Sequence, residues 1–187
     1  MNEDINKAVE ILKAGGIILY PTDTIWGIGC DATNKDAVAK IYDIKKRDTE
    51  KSMLILLNNT GSLYSYVNVV PDIAFDIIEL SENPVTLVLS GAKNLADNLT
   101  AKDGSIGIRI TKETFTNKLI QKFRKPIVST SANFTGEETP LNFAQISDAV
   151  KEKVDYIAKY KQTDMSFGSS SSIIKIGINN EVKVIRE

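Results

Sequence analysis

The sequence contains no histidine and only one cysteine, Cys30, among its 187 residues. Without imidazole there is no Ser-His-Asp triad, no Cys-His pair and no imidazole metal ligand. No side chain titrates near neutrality unaided. A lone thiol excludes an internal disulfide and a cysteine-rich zinc site, and suits a reducing compartment. Neither sign of charge is in excess. The 23 Lys and Arg stand against 24 Asp and Glu, a formal net charge of −1, so contact with nucleic acid or anionic lipid would need a local patch. No apolar run approaches the ~20 residues of a membrane helix, and the acidic start Met1-Asn2-Glu3-Asp4 has no signal-peptide core. These absences predict a cytoplasmic chain with no membrane span, whose chemistry draws on Lys, Arg, Ser, Thr, Asn and the acids.

What is present predicts one domain over residues 1–187. Apolar residues make up 42% and charged residues 25%, the balance of an ordinary globular chain. Ile5, Ala8, Val9 and Leu12 keep a helical period that Gly15-Gly16 stops. Residues 17–20 then read as a buried strand ended by Pro21. Thr33-Asn34-Lys35-Asp36 resembles a capping box opening a helix with Val38, Ile41 and Ile44 on one face. Residues 53–57 and 85–89 read as buried strands, with a helix carrying Ala74, Ile77 and Ile78 between them and Pro71 in its first turn. Ile106, Ile108 and Ile110 alternate with Ser105, Gly107 and Arg109, which in a strand turns Arg109 away from the isoleucine face. Phe115, Leu119, Ile120 and Phe123 mark a helix, Ile127-Val128 a strand, residues 142–150 a helix, and residues 172–176 and 182–185 a closing pair of strands. Alternating strands and helices predict an α/β domain, and the strand-rich second half predicts a mixed sheet.

Six stretches are candidates for chemistry. Pro21-Thr22-Asp23-Thr24 follows a strand, where α/β folds place ligand loops; it reads either as a polar pocket wall, with Thr22 and Thr24 on one side, or as an Asp- and Thr-stabilised turn. Gly27-Ile28-Gly29-Cys30-Asp31-Ala32 imitates a dinucleotide fingerprint, but the helix start comes only at Thr33, so a Rossmann site is rejected. Lys45-Lys46-Arg47 ends a helix, where cations complement the dipole. Lys45 and Arg47 converge on one polyphosphate only if the helix stops before them. Ser129, Ser131 and Asn133 share a side of an extended segment and could donate to phosphate, or Asn133 could begin a turn. Gly168 and the serines 169–172 read by themselves as a flexible loop. From Arg109 to Lys125 six cations face one acid, Glu113. This is either an RNA-facing surface, with Lys118, Lys122 and Arg124 at its centre, or a solvated helix face.

The order of these stretches is more specific than any one of them. The Pro-Thr-Asp-Thr after the first strand, Lys45-x-Arg47, Pro84-Val85-Thr86, Gly107-Ile108-Arg109, Ser131-Ala132-Asn133 and the late serines together resemble the YrdC/Sua5 family over residues 5–176, in its short, single-domain form. Asp48 stands where that family usually has a proline. The resemblance implies a twisted, open mixed sheet with flanking helices and a concave, positively lined cleft. It implies an L-threonylcarbamoyladenylate synthase, a nucleotidyltransferase that joins L-threonine, bicarbonate or CO2, and ATP with Mg²⁺ and releases pyrophosphate. A separate threonylcarbamoyl transferase complex then modifies adenosine 37 of tRNA. By resemblance Lys45, Arg47, Ser131 and Asn133 are catalytic and bind ATP together with Thr86 and Ser129. Tyr20, Thr22, Thr24, Arg109 and Ser171 take threonine and its carbamate. Mg²⁺ arrives on the ATP phosphates with no direct protein ligand. A catalytically diverged RNA-binding relative is the alternative, in which tRNA or double-stranded RNA meets the basic segment. Attack by an anionic carbamate on phosphorus needs positioning and charge neutralisation more than a general base, which fits a chain without histidine.

Overall fold

The computed structural model describes residues 1–46, 53–166 and 168–187. Helix α1 (Asn2–Lys13) buries Ile5, Ala8, Val9 and Leu12, the stripe its periodicity predicts. Its Asp4 is also buried and accepts from the Tyr156 hydroxyl at 2.6 Å and from the Lys159 and Tyr160 amides, fastening the first helix to a late segment. Strands β1 (Ile18–Tyr20) and β2 (Gly27–Gly29) are wholly buried. The two glycines lie in a strand and open no helix, as expected. A Cβ on Gly29 would sit 2.3 Å from the Val128 carbonyl oxygen, so close strand packing accounts for that glycine.

Helix α2 (Lys35–Lys45) is capped by Asn34, whose side chain accepts from the Asp36 and Ala37 amides, and not by Thr33. The Asp31 carboxylate holds both the amide and the hydroxyl of Thr33 and takes it out of the capping role. The helix runs through Lys45 and stops at Lys46, which is left-handed at φ 48°. The condition set for Lys45 and Arg47 to converge along an extended chain is therefore not met at Lys45; Arg47 lies outside the described residues.

Then follow β3 (Leu54–Leu57), α3 (Leu63–Tyr66), α4 (Asp72–Leu80), β4 (Val85–Ser90), β5 (Ser105–Ile110), α5 (Thr114–Phe123), β6 (Ile127–Ser131), α6 (Asp148–Lys151), β7 (Tyr156–Ile157), β8 (Ser172–Ile176) and β9 (Val182–Arg186). Pro71 is the N-cap of α4 and stands one place before its first turn. The helix expected over 142–150 is broken. Asn142 closes a tight 3-10 turn by accepting from the Gln145 amide, then Ile146 turns extended and buries its side chain, leaving α6 a single turn. The apolar spacing of Phe143, Ile146 and Val150 imitates a helix that the Asn142 turn overrides.

Among the described residues nine strands form one mixed sheet in the order β7-β1-β2-β6-β3-β5-β4-β8-β9. β6 is its seam: Ile127, Val128 and Ser129 pair with β3, and Thr130 and Ser131 pair with β2. α1 packs on α5, and these two helices reach β1 and β3. Along the central strands one parity, including Ile55, Leu87, Ile106, Ile108 and Val128, is buried in the core. The other parity brings Leu54, Thr86, Gly107, Arg109 and Ser129 to the opposite face, where the site lies. Among the described residues no helix is long and apolar enough to cross a membrane.

Candidate active site

The opposite face of the sheet carries a cleft of about 320 Å³, bounded by the 24–27 segment, β3, β4, β5, β6, β8 and the end of β9. Thr24, Thr86, Ser129, Ser131 and Ser171 supply hydroxyls, and Arg109 and Arg186 supply charge. Among the described residues no carboxylate lines it, so it is positive relative to its surroundings. Gly107 keeps the floor open. A Cβ there would lie 3.2 Å from Leu54 Cβ and 3.5 Å from Thr86 Cγ2.

The 22–26 loop has a hydrogen-bond arrangement that fixes its protons. Thr22 Oγ1 donates to the Ile25 carbonyl at 2.6 Å, which commits its only proton. The same oxygen lies 2.9 Å from Thr24 Oγ1 and 3.1 Å from the Thr24 amide, so Thr24 donates in both contacts. Thr24 Oγ1 thereby faces the cleft as an acceptor. Arg109 comes from the polar parity of β5, as the alternation predicts, but it is only 4% exposed. Asp23 Oδ1 lies 3.1 Å from its Nε, and Thr22 Oγ1 accepts from Nη2 at 3.4 Å. Burial lowers the Arg109 pKa, and the Asp23 carboxylate opposes that shift.

Lys45, Ser131 and Asn133 form one cluster. The Lys45 ammonium donates to the Ser131 carbonyl at 2.7 Å, Ser131 Oγ at 3.3 Å, Asn133 Oδ1 at 3.0 Å, and the Asn133 carbonyl. Ser131 Oγ donates to Asn133 Oδ1 at 2.6 Å, and Asn133 Nδ2 donates to the Glu137 carbonyl at 2.8 Å. Ser131 is the member that lines the cleft; Lys45 and Asn133 are buried behind it. These contacts hold the ammonium directly behind the Ser131 wall of the cleft.

At the other end Thr86 Oγ1 and Ser171 Oγ lie 2.8 Å apart, both buried. The Ser171 carbonyl accepts from Arg186 Nε at 3.1 Å and Nη2 at 2.7 Å. Arg186 is absent from the sequence reading, and Asp23 enters it only as part of the Pro21–Thr24 stretch, without its Arg109 partner. Arg186 reaches the cleft through a bulge: Ile174 pairs with Val184 but Ile173 pairs with Arg186, so Ile185 is an extra residue. Unbroken alternation would have put Val184 and Arg186, two residues apart, on the same face; the bulge separates them. The one signal in the sequence was an arginine ending a short strand.

Tyr20 is a correction. It is fully buried, and its hydroxyl donates to the Val128 carbonyl at 3.1 Å, so it sits behind the cleft wall and cannot touch a ligand there. Burial raises the pKa of that hydroxyl, against a weaker opposite pull from Ser129. Lys118, Lys122 and Arg124 are exposed on and after α5 and do not line the cleft. Lys122 donates to Asn6, and Lys125 pairs with Asp31 at 2.7 Å. Arg109 points inward, so the surface charge of this segment is smaller than its composition suggests.

A family model for Sua5, YciO and YrdC, described as "Telomere recombination", matches residues 10–187. The chain is 35% identical over 181 residues to a threonylcarbamoyl-AMP synthase of Pseudoalteromonas translucida, covering 95% of each chain. Its structure is similar to that of E. coli YciO, with a TM-score of 0.86, 26% identity, and coverage of 100% of this chain and 90% of the other. It also shares its fold with P. abyssi Sua5 complexed with L-threonine, with a TM-score of 0.82 and 22% identity over 92% of this chain. The chain spans about half the length of that Sua5, covering 50% of it.

Proposed function

This chain belongs to the Sua5, YciO and YrdC family, and on that premise we propose that it is a threonylcarbamoyl-AMP synthase. Its substrates are L-threonine, bicarbonate or CO2, and ATP. Its products are L-threonylcarbamoyl-AMP and pyrophosphate. The observation that carries the reading is one cleft, free of carboxylates among the described residues, that holds two guanidiniums, Arg109 and Arg186, and an acceptor hydroxyl, Thr24.

The chemistry follows from that donor set. The threonine carboxylate pairs with Arg109, and its amine donates to Thr24 Oγ1. The amine and CO2 give the carbamate and release one proton. A carbamate oxygen then attacks the α-phosphorus while the bond to the bridging oxygen of the β-phosphate breaks, and pyrophosphate leaves with that electron pair. Negative charge accumulates on phosphate oxygens, where Arg186, Lys45 behind Ser131, and Arg47 neutralise it. Hydroxyls of Ser129, Ser131, Thr86 and Ser171 orient the reactants. The cleft offers neutral oxygens, a set suited to a Mg²⁺ that keeps waters and takes its anionic ligands from ATP; Ser131, held from behind by Asn133, would hold its water shell, and the ion would supply charge to the phosphates. The product would pass to a separate transferase acting on tRNA in the cytoplasm.

Pyrophosphate release from ATP and Mg²⁺, with threonine and bicarbonate each present or omitted, tests the reading. Release should require both. Folded protein that binds ATP yet releases nothing under any combination would overturn it.

A further inference from the structure

Among the described residues Arg109 is held from one side only. Its Nε lies 3.1 Å from Asp23 Oδ1, a buried ion pair without hydrogen-bond alignment, and its Nη2 donates to Thr22 Oγ1 at 3.4 Å. In a guanidinium, Nε and Nη2 share one edge, while Nη1 and Nη2 form the terminal fork. The protein therefore occupies the first edge and leaves the fork for a bidentate carboxylate.

The placement of Asp23 removes an apparent conflict. A carboxylate beside an anion site should repel the ligand. Yet Asp23 does not line the cleft; it borders the cavities on the far side of the 22–26 loop, while the next residue, Thr24, faces the cleft. Among the described residues it is also the one carboxylate paired with Arg109, which stands near a second guanidinium, Arg186. An unpaired arginine at that depth would be costly and free to turn.

We propose that Asp23 is a positioning residue. It grips the inner edge of Arg109 from behind the loop and fixes the terminal fork for the carboxylate of the amino-acid substrate. This rests on the reading of Arg109 as the threonine carboxylate site. The gain is preorganisation: arginine rotamer freedom is removed before the ligand arrives.

A double-mutant cycle tests it, with threonine and ATP KM, kcat and thermal midpoint measured for wild type, Asp23→Asn, Arg109→Ala and the double variant. Asp23→Asn should raise the threonine KM at least ~10-fold, the scale of a close charge pair, with ATP KM and kcat nearly unchanged. In the Arg109→Ala background it should add nothing. An unchanged threonine KM, or full additivity, overturns the proposal. A purely structural Asp23 would instead disturb the threonine and ATP KM values alike, and a fall in thermal midpoint alone does not distinguish the two. If Arg109→Ala itself leaves the threonine KM untouched, the carboxylate assignment fails, a separate result. Should Asp23→Asn not fold, the Arg109 ¹⁵N signals of wild type decide. Threonine should shift the Nη signals and leave Nε nearly still; equal movement of both overturns the proposal.

Discussion

The Lys45 ammonium lies 2.7 Å from the Ser131 carbonyl oxygen and 3.0 Å from Asn133 Oδ1, tying the last residue of α2 to the strand that walls the cleft. Lys45→Ala strips a charge from behind the phosphate region and leaves buried oxygens unsatisfied. Activity should fall at least ~100-fold, the scale of lost charge-stabilising groups, and stability by about 1–3 kcal/mol. Lys45→Met restores apolar bulk without charge and should remain as inactive. Steady-state rates and chemical unfolding check both.

Tyr20→Phe should behave oppositely. It removes a hydroxyl that donates to Val128 inside the core, so about 1 kcal/mol of stability should go. Turnover and threonine KM should stay within about twofold, since the ring never reaches the cleft. A large rise in threonine KM would place that hydroxyl on the ligand.

Gly168 presses on the loop that carries Thr24. A Cβ there would lie 1.8 Å from the Thr24 carbonyl oxygen and 3.1 Å from Ile25 Cγ2. Gly168→Ala must displace the 22–26 loop, and misplacement by about 1 Å costs ~100-fold in rate. Kinetics should show that loss with only a small change in thermal midpoint.

Arg186→Met keeps the length and bulge of β9 but removes the guanidinium from the cleft. β9 is exposed along its length, so the rest of the fold should survive. Nucleotide affinity, read by calorimetry, should drop ~10–100-fold, the value of one or two hydrogen bonds to a charged group.

Asp103 sits in the β4–β5 turn, where Ser105 donates to it through hydroxyl and amide and Lys175 lies 2.9 Å away. The Ser105 hydroxyl first, then Lys175, lower its pKa to about 2. A depressed folded-state pKa stabilises the fold above the unfolded value near 3.9, and that stability is lost as pH falls towards 2. Asp103→Asn should therefore be slightly less stable at neutral pH and match wild type at pH 2. Its exposure to solvent keeps the effect small. Unfolding curves from pH 7 to pH 2 measure it.

Much of this arrangement is legible in the residues. The period of Ile5, Ala8, Val9 and Leu12 places α1, and the isoleucine alternation in β5 puts Arg109 on the polar face, because side-chain direction follows from backbone geometry. The reading of residues 142–150 as a helix failed because the Asn142 turn competes with apolar spacing. Arg186 was invisible because one extra residue, Ile185, separates it from the face of Val184 that alternation predicts, and no local pattern announces a bulge. The Asp23–Arg109 pair joins distant segments of the chain and depends on strand order.

The seam strand β6 has a consequence for synthesis. It joins β2 to β3, and the cleft beside it draws on residues from Thr24 to Arg186. Such long-range pairing forms slowly, since wide loops must close before contacts repay them. A nascent chain still on the ribosome, lacking β8 and β9, has no Ser171 and no Arg186. The cleft is complete only when the last strand has emerged, so a truncated translation product would lack the hydroxyl and the guanidinium at its far end.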